Sequence, residues 1–235
     1  MAHTITLANT KLNSDMKKMV EEFCISLLKI ETIEVKSVNV YGKDDLSLLI
    51  IVKNLDIEEL KAIKDIVADI RRFGVNTFFI TEQNLLTSTD VFPIKFMIIK
   101  ESYTHIAGDD FLKNLEISDE YLRLRCEQEI KNLILKLKHF YLANYGMRLM
   151  DIMKQTIENF IENLRILVFL KTGDKPSFDD SIEKAAALCS FDTSIITEVK
   201  NLENLNEKPK AEKREEIFGG YIDVVYQVAQ FVDRM

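Results

Sequence analysis

The sequence predicts an α+β protein: an α/β domain over residues 1–117 followed by an all-α helical bundle over residues 118–235. Two stretches between residues 33 and 52, "IEVKSVNVY" and "LSLLIIV", are apolar with period two or continuously, as strands are. Runs with helical spacing flank them. From about residue 118 onward only helical spacing remains, and a run of strands followed by a run of helices is the pattern of this class.

Each element has its own justification. Residues 13–30, "NSDMKKMVEEFCISLLKI", space Met16, Met19, Val20, Phe23, Leu27 and Leu28 along one helical face, with Asn13, Ser14 and Asp15 available as caps. "IEVKSVNVY" alternates like a half-buried strand, and "LSLLIIV" suits a strand covered on both faces. "IEELKAIKDIVADIRRFG" is a helix closed by Gly74. "VNTFFI" and "PIKFMII" are read as two further strands, the latter beginning at Pro93 and forming the last strand, near residues 94–100. Asp109 and Asp110 are expected to cap a short helix, "DFLKNL".

The second half is helical throughout in this reading. One helix places Leu122, Cys126, Ile130, Leu133, Leu137 and Phe140 on a face and ends at Gly146. The next repeats Met150, Met153, Ile157, Phe160, Leu164 and Leu167 up to the loop "TGDKPS". Two shorter helices at about 179–189 and 193–205 lead to "NEKPKAEKREE", read as a charged connector, and to a last helix carrying Ile217, Phe218, Tyr221, Val224, Val225, Val228, Phe231 and Val232. Helices joined by short loops make a bundle. The wide apolar arc of the last helix and the nearly all-round apolar "LRILVFL" predict self-association as a dimer through the bundle. Complete mutual enclosure of the helices is the alternative.

Composition narrows the function classes. The 235 residues are 47% hydrophobic and 29% charged, as in a globular chain with a real core. A net charge of −7 and a pI near 5.2 carry no electrostatic footprint for nonspecific nucleic-acid binding. Cys24, Cys126 and Cys189 are odd in number and far apart, which predicts buried thiols in a reducing cytoplasm rather than disulfides or a zinc site. "MAHTITLANT" lacks the pattern of a signal peptide, and no apolar run reaches the roughly 18–20 residues of a membrane span.

Several motifs together resemble one family. The strand pair around Gly42 with "DDLSLLIIV", the later "STDVFPIKFMIIKES" and "YTHIAGDDFLKNLEIS", and above all the helix "LRLRCEQEIKNLILKLKHFYL", resemble bacterial proteins of the nucleotidyltransferase superfamily, which has a DNA polymerase β-like palm. The resemblance covers most of residues 33–142; beyond 145 only helical character is shared. It implies a mixed sheet with helices. It also implies a site made of Gly-Ser after the first strand, a loop, Asp-x-Asp at the start of the second strand, and a third carboxylate on a later strand. Residues i and i+2 of a strand face the same way, so the two aspartates would hold Mg²⁺ against nucleotide phosphates.

This chain departs from that pattern at each element. Asp45 takes the place of the first aspartate and Ser47 that of the second. Gly42 is kept, but Lys43 stands for the serine, and only Lys43 and Asp44 separate Gly42 from Asp45, so the phosphate-cradling loop is all but missing. Lys95 and Ile98 occupy the strand where the third acid is expected. Gly42, Lys43, Asp44, Asp45, Ser47 and Lys95 are therefore read as a vestigial site, with no metal and no cofactor. In that reading "GKDD" is a tight hairpin turn.

Other residues are assigned blander roles. His3, His105 and His139 are expected on a tail, a loop and a polar helix face. Glu127 and Glu129 are two apart on a helix and do not share a face. Arg123, Arg125, Lys131, Lys136 and Lys138 form a basic helix side, read as a solvated, charge-balanced face rather than a phosphate site. The expectation is thus a catalytically inactive, nucleotidyltransferase-like cytoplasmic protein that binds a nucleotide or a protein and regulates, with no membrane or nucleic acid involved. Two alternatives stay open: an active enzyme that uses Mg²⁺ with Asp44 and Asp45, and a structural oligomerisation protein.

Overall fold

The computed structural model describes residues 5–42, 46–143, 148–202 and 209–235. The chain forms two compact units, residues 1–118 and 119–235. Lys43, Asp44 and Asp45 of the expected site, His3 and the helix-ending Gly146 lie outside the described residues.

The first unit is α+β, built on a four-stranded mixed sheet. Helix α1 (Ser14–Leu28) starts where Asn13 Oδ1 accepts the Met16 amide at 2.9 Å. Strands β1 (Val35–Tyr41) and β2 (Ser47–Val52) pair antiparallel, with Tyr41 opposite Ser47. Helix α2 (Ile57–Arg71) opens on a capping box in which Asp56 and Glu59 satisfy each other's backbone amides, and the chain turns at Gly74, φ +79°. It returns as β3 (Asn76–Thr81), parallel to β2. Helix α3 (Glu82–Thr87) follows, capped by Thr81, then α4 (Pro93–Ser102) and β4 (Thr104–Gly108), which pairs antiparallel with β1. The order across the sheet is β3-β2-β1-β4.

Alternation along β2 divides the core. Leu48, Ile50 and Val52 face a cluster that includes Val20, Phe23 and Leu27 of α1 and Ile63 and Ile70 of α2. Leu49 and Ile51 face Ile80, Leu85, Phe96, Ile99, Leu112 and Leu115. Both faces of the strand are covered, as its unbroken apolar run requires.

Two expectations fail here. "PIKFMII" is a helix, not a strand, and the last strand is Thr104–Gly108. Pro93 sits in the first turn, where its fixed φ favours a helix start, and Pro93, Phe96 and Met97 bury one side at i, i+3, i+4 spacing. Asp110 caps a turn rather than a helix: its Oδ1 accepts the Lys113 amide at 3.1 Å, while the Tyr103 hydroxyl donates to the same carboxylate at 3.2 Å.

The second unit is helical throughout its described residues: α5 (Asp119–Ala143), α6 (Leu149–Thr172), α7 (Asp180–Cys189), α8 (Thr193–Asn201) and α9 (Ala211–Val232). The "AEKREE" part of the expected connector is the first part of α9. Helix α6 packs against α5, α7, α8 and α9, and buries Leu164, Ile166, Leu167 and Val168. Ile217, Phe218, Tyr221, Val224, Val225, Val228 and Val232 of α9 are buried as well. The wide apolar arcs that motivated a dimer are therefore covered within the chain. Among the described residues no helix is long and apolar enough to cross a membrane.

All three thiols are free; Cys24 and Cys126 are buried and Cys189 half-buried. Burial raises each from the ordinary 9.0 to about 12, with Glu21 adding to Cys24. The neutral thiol is the form the fold favours, so this contribution is complete below pH 9.0 and is lost as pH rises from there towards about 12. At mildly alkaline pH a disulfide reagent is expected to titrate all three in urea and to react far more slowly with the native chain. Rapid native titration would show that these thiols are not shielded.

Candidate functional site

The strand positions that matter lie on the β2 face bearing Ser47, Leu49 and Ile51. Ser47 begins β2, opposite Tyr41 on β1 and Asn76 on β3, and is 8% exposed. It sits beside the Tyr41 phenol, whose pKa burial raises and the neighbouring Ser47 lowers, with burial the larger. Ser47 is thus a buried, neutral residue between two neighbouring strands. Leu49 is the next residue on that face and packs in the apolar cluster.

Gly42, φ +100°, ends β1 in a conformation that favours glycine, and its amide donates to Ser102 Oγ at 3.2 Å. Ser102 Oγ donates in turn to Ile98 O at 3.1 Å, so the last turn of α4 holds the end of β1.

Lys95 is not on a strand. It lies on α4, with Nζ 3.4 Å from the centroid of the Phe78 ring of β3, and burial lowers its pKa. Phe78 pairs with Leu49, so this cation covers the sheet face that bears Ser47. Ile98 lies on the same helix.

The strand beside β1 is β4, and it brings His105 rather than an acid. His105 is a strand residue, not a loop residue. Asn39 Nδ2 donates to Ser37 Oγ at 3.0 Å, Asn39 Oδ1 lies 3.0 Å from His105 Nδ1, and His105 Nε2 lies 3.0 Å from Gly108 O. Ser37 and Asn39 are fully buried, and this polar chain locks β4 to β1. Ser37 and Asn39, polar residues set among the core valines of β1, were the sequence signal for it.

None of the residues of the four strands is Asp or Glu. Among the described residues no three His, Cys, Asp or Glu side chains gather as a metal site. A hard cation such as Mg²⁺ takes charged oxygen ligands, and a buried serine hydroxyl does not supply one. The described donor set does not fit that ion.

Three cations on the basic side of α5, Arg123, Arg125 and Lys131, are paired within the chain. Arg123 and Lys131 both bind Glu127, at 3.1 and 2.7 Å, Lys131 also reaches Asp233, the C-cap of α9, at 2.7 Å, and Arg125 binds Glu129 at 2.5 Å. Lys131 and then Arg123 hold the Glu127 carboxyl below its usual range. Lys138 lies over the Tyr226 ring, 5.0 Å from its centroid. His139 is exposed on the same helix.

No protein-family model and no curated protein matches the chain.

Proposed function

We propose that the first unit is a nucleotidyltransferase-like module that has lost transfer chemistry and serves as a nucleotide- or protein-binding, regulatory element. The observation that carries this is position 47, the place of the second metal-binding aspartate in the resemblance, where a neutral Ser47 is buried opposite Tyr41. The order of elements agrees with it: an antiparallel hairpin, a helix and a strand parallel to the second. The acid-free strands and the Lys95 cation over the same face work against Mg²⁺ there.

Calorimetric titration of the chain with Mg-ATP and other Mg-nucleotides tests the reading. Saturable binding without turnover is expected. Turnover would favour the active enzyme with Asp44 and Asp45 as ligands, and silence the oligomerisation protein. Ser47→Asp should leave transfer absent, because one carboxylate does not rebuild the phosphate loop; measurable nucleotidyl transfer by this variant would refute a lost chemistry.

Self-association remains part of the proposal on a different surface. Helix α5 leaves Tyr121, Leu124, Leu135 and Leu142 exposed, and Leu135 and Leu142 are 65% and 72% accessible. A two-fold contact there is the commonest way to cover such a stripe. Light scattering should give twice 27.2 kDa and the monomer mass for Leu135→Glu; a wild-type monomer at high concentration removes the dimer.

A further inference from the structure

The two edges of the sheet differ. Strand β4 has five residues, its register with β1 shifts between Val38 and Asn39, and the Thr6 amide donates to Ile106 O at 2.8 Å. A short, bulged strand with a neighbouring segment bonded to it is a blunted edge. Strand β3 has none of these features. Its six residues, "NTFFIT", pair with β2 in unbroken register, from Asn76 opposite Ser47 to Thr81 opposite Val52, and include no charge and no proline.

One hydrogen bond fixes which way the backbone of β3 faces. The Asn76 amide donates to Leu46 O at 3.1 Å, so Asn76, Phe78 and Ile80 turn their amides and carbonyls towards β2. Thr77 and Phe79 turn theirs away from the sheet. Among the described residues no backbone group bonds these two amides and two carbonyls. Thr77 and Phe79 are half-buried rather than buried, so water meets those groups in the free chain. An uncharged edge without a bulge is a template for a further strand about 4.8 Å away.

Lys95 indicates what such a strand carries. Its Nζ lies 3.4 Å from the Phe78 centroid, so the cation sits over the edge strand itself. It makes no ion pair among the described residues, and burial alone lowers its pKa. A second copy is a poor occupant. Antiparallel two-fold pairing of β3 with itself sets both Lys95 cations on one face of the joined sheet, where like charges repel. A guest strand with Asp or Glu on that face brings Lys95 the opposite charge.

We propose that the β3 edge takes an extended, acidic segment of a partner protein as a fifth strand. The outward amides and carbonyls of Thr77 and Phe79 supply the main-chain hydrogen bonds, and Lys95 selects the acid at alternate guest positions. This names a partner for the protein-binding side of the proposed function and rests on that side alone; it needs no nucleotide.

Amide NMR titration of the full chain with the blocked peptide Thr-Val-Glu-Val-Glu-Val-Thr, against the same peptide with lysine for glutamate, tests the proposal. The glutamate peptide should shift the β3 amides saturably and bind about fivefold or more tightly than the lysine peptide. Lys95→Glu should reverse that preference. Thr77→Pro removes one outward amide and spares the bonds to β2, so it should weaken the peptide about tenfold with the urea midpoint little changed. N-methylation of the peptide at its valines or at its glutamates should abolish binding in one case and spare it in the other, because only alternate guest amides face β3. No saturable shift at β3, equal affinity for the lysine peptide, Lys95→Glu keeping the wild-type preference, or binding by both methylated peptides would each overturn it. So would a smaller mass of Thr77→Pro than of the wild type in light scattering, which gives the edge to a second copy. The titration is made without nucleotide, so its failure removes this partner and leaves the Mg-nucleotide titration to judge the proposed function.

Discussion

Gly108→Ala is expected to destabilise the first unit by about 3 kcal/mol or more, enough to remove most of a typical domain's margin. Gly108 ends β4 at φ +81°, opposite Ser37 on β1. A Cβ built there falls 2.0 Å from Lys36 O and 2.8 Å from Lys36 C, both backbone atoms that cannot rotate away. Lys36 O also accepts the Asp109 amide at 2.9 Å, and Gly108 O faces His105 Nε2, so moving either chain disturbs the polar chain to Asn39. Gly74→Ala is the control. Its φ is +79°, but nothing lies within 4 Å of the added carbon, so only the left-handed conformation costs, about 1–2 kcal/mol. Urea unfolding of both variants, followed by amide exchange in β1, separates clash from backbone preference. Equal losses would mean that β4 and β1 do not approach this closely.

The same strand pair shows where the sequence could be read and where it could not. Helices α1, α2, α5 and α6 were legible because 15 or more residues repeat an apolar face, and β2 because five consecutive apolar residues, Leu48 to Val52, need cover on both sides. "PIKFMIIK" is too short for periodicity to separate strand from buried helix, and its proline fits either start. Reading it as a strand hid β4 and moved Lys95 and Ile98 to the wrong kind of element. It also left His105 in a loop, although "THIAG" is the strand that pairs with β1. The third acid expected at Lys95 or Ile98 thus falls on α4, while the residue beside Asn39 is a histidine.

On α5 the face was legible but its edge was not. Leu133 was expected in the core, yet Ile134 is the buried residue and Leu133 is half-buried against a small cavity between α5 and α6. A cavity depends on what the opposite helix supplies, here Thr156 and Asn163, and spacing within one helix does not carry that. The charge balance of Arg123, Arg125 and Lys131 on the same helix was legible. Glu127 serves two cations at i−4 and i+4, and that spacing is visible in the sequence.

Phe160→Ala should cost the helical unit about 3–5 kcal/mol. The ring is 1% exposed on α6 and meets Tyr221 of α9 edge-on, with centroids 5.7 Å apart at 85°. Truncation removes this contact, worth about 0.5–1.5 kcal/mol beyond area, and leaves a hole that rigid helix backbones close only in part. Tyr221→Phe separates ring from hydroxyl. The Tyr221 hydroxyl lies 3.3 Å from Thr156 Oγ1, which already donates to Ile152 O, so its loss should cost about 1 kcal/mol. Burial raises the Tyr221 phenol far above the usual 10.0, more than the Thr156 bond lowers it. The neutral phenol is thus favoured in the fold, a contribution complete below pH 10.0 and lost as pH climbs above it. Urea melts of the two variants should therefore differ several-fold in effect, and the phenolate absorbance of Tyr221 should appear in alkali only as the unit unfolds. A Phe160→Ala loss no larger than that of Tyr221→Phe would mean that α6 and α9 are not joined through these rings, because two buried aromatics in edge contact cannot give up one ring as cheaply as one hydroxyl.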